Sequence, residues 1–276
     1  MPVSLSLQEI RKTIEASLWD YEEGSDPPGT LTVKRPDRLL WRTDSSSIYG
    51  NKVVRASFSA AGADQAIAEI LDFFGAAGKS FSWWIGPSSG PPSLEQRLLG
   101  RGLVREDTYE GIALVLSPRS GSTTGRSSDV AVEVVAGESA MRELVAVNAA
   151  VWGYSEADQA RMVRERLEYL DLPGRRGGYL IGRIGGKAAG TASFRYSSTG
   201  EALYLTGAST LPEFRGRGVF TELVRWRLAD AAARGCRLVT CLARVGTSAP
   251  ILRRLGFEQY LTMPVLAWQG GADESC

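Results

Sequence analysis

The sequence predicts an α/β (α+β) protein of two tandem domains, on three observations. Short apolar strand patterns alternate with helical ones along the chain. A polar Gly/Ser-rich stretch, residues 117–129, interrupts that alternation near the middle. The parts on either side echo each other, as duplicated units do. At 276 residues the length suits two domains of ordinary size, and 43% hydrophobic content supplies a core for each. The expected division is 1–116, a linker over 117–129, 130–269, and a tail over 270–276.

In the first part, Ala76-Ala77-Gly78-Lys79-Ser80-Phe81 ends a helix and starts a buried strand, Phe81–Ile85. Ala233-Arg234-Gly235-Cys236-Arg237-Leu238 does the same for Leu238–Leu242. Leu98-Leu99-Gly100-Arg101-Gly102-Leu103 is echoed by Arg253-Arg254-Leu255-Gly256-Phe257, and each part finishes on an apolar strand, Ile112–Leu116 and Met263–Trp268. In the second part, Val130–Val135 alternates as a strand. Ser139–Val151 and Glu156–Leu170 read as helices joined through Trp152-Gly153-Tyr154. Tyr179–Ile184 and Ala188–Tyr196 form a hairpin about Gly185-Gly186-Lys187. A strand over 201–210, a helix over 219–234, a strand over 237–243 and a short helix over 248–255 follow. In the 219–234 helix, Phe220, Leu223, Val224, Leu228 and Ala231 share one face.

Composition removes several classes of chemistry. The chain has no histidine, so Ser–His–Asp and Cys–His sites and His-ligated metal centres are excluded. Cys236, Cys241 and Cys276 match no metal or disulfide spacing, and the expectation is a protein without metal and with reduced thiols. No apolar run has the length of a membrane span and no basic-then-apolar leader pattern opens the sequence. The expected location is the cytoplasm. Residues 1–129 hold 14 basic and 16 acidic side chains, while 130–269 hold 18 and 13, so the positive excess lies in the second part. An anionic ligand there would be favoured.

Leu205-Thr-Gly-Ala-Ser-Thr-Leu-Pro-Glu-Phe-Arg-Gly-Arg-Gly-Val-Phe-Thr221 is the most informative segment. An apolar strand runs into a Pro-started turn, then Arg215-Gly216-Arg217-Gly218, then a helix opening at Val219. Successive N–H groups at such a turn, with those of the first helical turn and the helix dipole, converge on an anion. The glycines let a phosphate reach the backbone, and the arginines add charge-assisted donors. The expected ligand is a pyrophosphate.

This segment resembles the acyl-coenzyme A loop of the GNAT N-acetyltransferase superfamily, whose pattern is Arg/Gln-x-x-Gly-x-Gly/Ala. Here Arg215 and Gly218 match, and Phe220 stands where the family has Gly or Ala. The order of elements also fits, down to the Leu255-Gly256-Phe257 ending, and the resemblance covers about 130–269. It implies two tandem GNAT-like domains, each a mixed, mainly antiparallel sheet flanked by helices. The first is degenerate: its counterpart of the loop, Phe58-Ser59-Ala60-Ala61-Gly62-Ala63, has no arginine and one glycine. Packing on the second domain and walling its acceptor pocket are its implied uses.

The activity implied is direct acyl transfer from acetyl-coenzyme A, or another acyl-coenzyme A, to an amine of a small molecule. Arg215, Gly216, Arg217, Gly218, Val219, Phe220 and Thr221 would hold the pyrophosphate, and Ser209, Thr210 and Leu211 the pantetheine arm. A bulge near Gly207 would open the strands and present an N–H to the oxyanion. The family's usual tyrosine acid falls at Leu252, which cannot donate a proton. A thiol with pKa near 8.5 still leaves as thiolate at neutral pH. Glu201 and Tyr204 are candidates for acid–base work. Ser248, beside Thr247, would position a water or cap a helix. Cys241 would be a covalent nucleophile only with a lowered pKa.

Two alternatives stay open. One is a donor borne on a carrier protein or tRNA, met by Arg161, Arg164, Arg166, Arg175, Arg176 and Arg183, although Glu165, Glu168 and Asp171 interleave them. The other is a non-catalytic acyl-coenzyme A-binding regulatory module. The chain would act as a monomeric pseudo-dimer or as a homodimer.

Overall fold

The computed structural model describes residues 5–116 and 128–270, so most of the expected linker and tail lie outside the described residues. The chain forms two compact units, and they do not follow the expected halves. One unit holds the chain up to Ser25, Ile112–Leu242 and Ile251–Glu258. The other holds Asp26–Gly111, Ala243–Pro250 and the chain from Gln259 on.

The first unit carries the loop. After helix α1 (Leu7–Ala16), its elements in chain order are β6 (Val130–Val134), α4 (Gly137–Trp152), α5 (Glu156–Asp171), β7 (Gly177–Ile184), β8 (Lys187–Tyr196), β9 (Ala202–Thr210), α6 (Val219–Ala233) and β10 (Leu238–Arg244). Strands β6 to β9 pair antiparallel in sequence order, and β10 joins β9 in parallel across α6. A parallel pair requires such a crossover helix. Expected and observed elements agree to within a few residues throughout this part.

Side chains on β8 alternate between two faces. Phe194 packs on Trp226 of α6 at 5.8 Å, and the Tyr196 hydroxyl bonds Asp230 of the same helix. On the other face Thr191 donates to Asn148 of α4 at 2.7 Å. Helix α6 lies close because the strands beneath its first turn are cut away to glycine. A Cβ on Gly182 would stand 3.0 Å from Val219 Cγ1, and one on Gly190 would stand 2.8 Å from it and 2.7 Å from the Ser209 carbonyl. Val219 is therefore seated against the sheet, 1% exposed, and fixes where the helix begins.

The second unit is built on β1 (Leu31–Arg35), β2 (Arg38–Arg42), β3 (Lys52–Ala56), α2 (Ala63–Gly75), β4 (Phe81–Trp84), α3 (Leu94–Gly100) and β11 (Glu258–Trp268). Its core holds Phe74 stacked on Phe81 at 4.1 Å, with Trp83, Ile67 and Leu98. Strands β3 and β4 are parallel across α2, as β9 and β10 are across α6, so the sequence echo is an echo of topology. The echo breaks in one place. Strand β11, expected to close the second half, pairs antiparallel with β4 of the first, Val265 opposite Trp84 and Trp268 opposite Phe81. Its buried Met263, Val265, Leu266 and Ala267 suit a strand covered on both faces. Strand β5 (Val104–Val115) straddles the division, which falls between Gly111 and Ile112. Among the described residues no helix is long and apolar enough to cross a membrane, and no group of three metal-ligating side chains occurs.

The Gly190→Ala variant tests the seating of α6. Its methyl group meets backbone and a buried valine together, an overpacking that costs about 1–3 kcal/mol. Urea denaturation should show a lowered midpoint with the slope unchanged; an unaltered midpoint would mean that α6 is not held by this contact.

Candidate active site

The turn after β9 leaves a ring of unused donors. Leu211 N–H returns to the Ala189 carbonyl at 3.0 Å, and Pro212–Phe214 forms a single 3-10 turn. Gly216 and Gly218 then take φ of 76° and 83°, the left-handed region that L side chains avoid, with open space where each Cβ would be. No described acceptor takes the N–H of Gly216, Gly218, Val219, Phe220 or Thr221. The last three are the unpaired donors of the first turn of α6. Arg215 and Arg217 are exposed beside them, Arg217 3.4 Å from Asp129, and Phe220 is half-buried. The predicted cradle residues thus lie together on one turn. In the first half the counterpart is closed: Gly62 has φ of −94°, and its N–H goes to Ser59.

Strand β9 parts from β10 just before this turn. Their pairing ends at Leu205 with Cys241. On the other side, Ala192 of β8 faces Ala208 and Ser193 faces Thr206, so Gly207 is an extra residue in β9. This is the expected bulge. Gly207 is exposed, and a Cβ there would press on Ser193 Oγ at 3.2 Å. From Thr206 to Thr210 the backbone edge of β9 no longer pairs with β10 and is available to another chain-like ligand. Along it, Thr210 faces Gly190, while Ser209 is buried and accepts the Trp152 indole N–H at 2.8 Å.

The predicted acid–base residues do not gather at the bulge. Glu201 is at the opposite end of the strand, six residues and about 20 Å from Gly207, 3.6 Å from Arg237 with its side chain 61% exposed. Tyr204 is buried, and its hydroxyl donates to Asp20 Oδ2 at 2.8 Å. Burial, with Asp20 beside it, holds that phenol far above its usual range, so it does not serve as a base at neutral pH. Ser248 begins α7 (Ser248–Arg254) and accepts the Arg244 N–H at 3.0 Å, a local backbone contact. Leu252 is fully buried, so the position holds core volume rather than a proton donor. Burial pushes the Cys241 thiol up to about 12, against the pull of Arg227, which leaves negligible thiolate.

Sequence reading missed the groups that do lie at the bulge. Thr206 donates to Ser193 Oγ at 2.9 Å, and Ser193 Oγ lies 3.4 Å from the Gly207 carbonyl. Beneath them Arg227, 1% exposed on the α6 face, donates to the Ser193 carbonyl at 3.0 Å and to Leu223 at 2.9 Å. Burial lowers this guanidinium to about 10, so it is still cationic at neutral pH. Apolar periodicity gave no hint that an arginine occupies the buried stripe of α6. Phe220 and Leu228, expected on that stripe, are half-buried at its margins.

The segment after α1 adds a second group of residues to the α4 face of this unit. Asp20 accepts from Tyr204, from Ser198 N–H at 2.9 Å and from Arg176 at 3.1 Å. Burial opposes its charge, but these donors outweigh it and hold its carboxyl below the usual range. Glu22 Oε1 accepts from the Tyr169 hydroxyl at 2.8 Å and the Arg176 N–H at 2.5 Å. The arginines considered for a polyanion are largely engaged within the fold. Arg161 pairs with Asp158 and Glu165, Arg183 with Glu133 and Glu143, and Arg175 donates to the Gly177 carbonyl.

Residues 144–257, which span most of α4 through the residue after the Leu255-Gly256 turn, match the acetyltransferase (GNAT) family model. Over 95% of its length the chain is similar to a GCN5-related N-acetyltransferase from Kribbella flavida, at 18% identity, 96% coverage of that chain and TM-score 0.69. A tandem GNAT protein from the clavulanic acid biosynthesis pathway is similar over 90% of this chain and 86% of its own, at 14% identity and TM-score 0.61. A GCN5-related N-acetyltransferase from Sphaerobacter thermophilus covers 84% of this chain and 80% of its own, at 16% identity and TM-score 0.60. At these identities the likeness is one of fold, and it extends over both halves of the chain. No curated protein matches the sequence.

The Asp20→Asn variant tests the contact between the N-terminal segment and β9. A carboxylate whose pKa is lowered by folding adds stability above its unfolded pKa of about 3.9, and that stability is lost as pH falls through the folded value. Loss of the charged hydrogen bonds should cost about 2 kcal/mol at pH 7. Denaturation curves of wild type and variant should converge as pH is lowered toward 3; a pH-independent gap would contradict this.

Proposed function

We propose that the protein, whose residues 144–257 match the acetyltransferase (GNAT) family model, transfers an acyl group, acetyl in the simplest case, from acyl-coenzyme A directly to an amine of a small molecule. The observation that carries the reading is the set of unpaired N–H groups of Gly216 and of Gly218 to Thr221, at the mouth of strands that part at Gly207. The pyrophosphate binds the turn through those donors and the charges of Arg215 and Arg217. The pantetheine arm runs along the free edge of β9 at Ser209, Thr210 and Leu211, as an added strand would. That route brings the thioester to the bulge.

There a backbone N–H of the bulged strand meets the carbonyl oxygen as it gains charge, an interaction typically worth about 2.7–4 kcal/mol in the transition state. The neutral amine adds to the carbonyl carbon, the carbon–sulfur bond breaks, and coenzyme A leaves as thiolate, which needs no acid from position 252. The surplus proton on nitrogen passes through the Thr206–Ser193 hydroxyl pair to water. Arg227 is a positioning residue: by holding the Ser193 carbonyl from below it fixes the β8 side of the bulge. Glu201, Tyr204 and Ser248 have no part in this route. The regulatory alternative would keep the cradle without turnover, and a carrier- or tRNA-borne donor would need Arg161, Arg176 and Arg183, which ion pairs already occupy.

Calorimetric titration of acetyl-coenzyme A into wild type and Gly218→Val tests the cradle. A β-branched residue at φ of 83° is strained and covers the donors, so affinity should fall at least 100-fold while the circular dichroism of the fold is retained. Equal affinity in the two proteins would contradict the assignment.

A further inference from the structure

Two charged groups on the α4 face of the loop-bearing unit, Arg195 and Glu22, carry a buried polar atom with no partner, and a third, Arg166, has no carboxylate within ion-pair distance. Arg195 of β8 is 6% exposed. One of its amino groups donates to the Ser17 carbonyl at 2.7 Å, the Tyr21 ring lies 3.8 Å from its guanidinium carbon, and its buried Nε–H has no acceptor. Arg166 of α5 is half-buried with its guanidinium 5.4 Å over the Tyr179 ring. Among the described residues neither arginine has a carboxylate within ion-pair distance; adjacent Glu165 is 3.6 Å from Arg161 instead. Glu22, whose Oε1 takes two donors, has its Oε2 buried with none. Charge withdrawn from water without a counter-charge is expensive, and polar atoms left so mark places where a ligand completes the pairing.

Strand register places these groups relative to the bulge. Tyr179, beneath Arg166, is opposite Ser193, and Ser193 is opposite Thr206, the residue before Gly207. Arg166 is thus over the strand two removed from the bulge, about 10 Å across the sheet at ordinary strand spacing. Arg195 and Tyr204 form the next same-face pair along β8 and β9. The whole patch is within one unit, on the face where Thr206 and Ser193 meet the bulge.

We propose that the acceptor is an amine that also carries a carboxylate, gripped by Arg166 over Tyr179 while its amine reaches the bulge at Gly207. This rests on the acyl-transfer reading above and adds the substrate class to it. A guanidinium–carboxylate contact, a short chain and an attacking nitrogen together span a gap of about this size. Arg195 strengthens the positive field over the approach, and Glu22 Oε2 accepts a second donor of the substrate, a hydroxyl or ammonium. Polycationic amines are rejected, because the two unpaired arginines repel them.

The test uses glycine, β-alanine, 4-aminobutyrate, 6-aminohexanoate and phenylalanine, each against its primary amide, with spermidine as the polycation. Acylated product is measured by mass with acetyl-coenzyme A, and equilibrium binding of the same compounds is measured on the protein with and without coenzyme A. At least one acid should exceed its amide by 10-fold or more in kcat/KM and in affinity. Arg166→Gln should erase that preference by raising KM for the acid at least 10-fold, with the amide changed less than 2-fold and coenzyme A affinity unchanged; Arg166→Lys should restore part of it. Preference for amides or spermidine in the wild type, or an acid preference that survives Arg166→Gln, overturns the proposal. Failure of acetyl-coenzyme A to bind would instead remove the acyl-transfer reading, while the binding comparison still decides the carboxylate.

Discussion

The parting of β9 from β10 after Leu205 and Cys241 is the constraint on which the rest of the site depends. A parallel pair that stays hydrogen-bonded along its whole length leaves no backbone for a ligand. Gly207 breaks the pattern by adding one residue to β9 opposite β8, which bends the strand and frees its far edge. The strand then ends in a turn that cannot drift, because Val219 is lodged against Gly182 and Gly190. Bulge, free edge and helix N-terminus therefore come in fixed succession over a few residues. On the proposed reading, a thioester would bind its charged end at the turn and present its carbonyl at the bulge.

The two halves share a topology but have diverged in what their crossovers do. In the first, Ser59 closes the N–H of Gly62, and helix α2 packs on an aromatic core without a cradle. What it adds to the loop-bearing unit comes from elsewhere. The segment after α1, up to Ser25, packs within the loop-bearing unit and delivers Asp20, Tyr21 and Glu22 to the α4 face. The last strand of the chain makes the reverse exchange and completes the sheet that contains β4. Each unit thus takes a terminal segment from the other half of the sequence.

What could be read in the sequence was what depends on neighbours along the chain. Gly216 and Gly218 are legible because their spacing before a helix implies left-handed backbone, and Gly207 because a strand glycine invites a bulge. The helices and hairpin of the second half follow from apolar period alone. Contacts across the fold left no such trace. Tyr169 and Glu22 are 147 residues apart, and Tyr204 and Asp20 are 184 apart. Glu201 attracted attention as an acid on the right strand, but strand length puts it at the wrong end. Arg227 is invisible for the opposite reason, since a charged residue reads as surface until a carbonyl of the neighbouring sheet is seen to accept its hydrogen bond. Apolar alternation carries no information about a strand's partner, so the sequence of β11 points only to the nearer half.

The central claim is that the parted strands and the turn after them are one binding site. Backbone amide signals followed by NMR during titration with coenzyme A test it most directly. The account predicts large shifts confined to Gly207–Leu211 and Gly216–Thr221, with slowed amide exchange at Gly216, Gly218 and the first turn of α6. Shifts centred on Phe58–Ala63, or spread evenly with no change at Gly218, would contradict it.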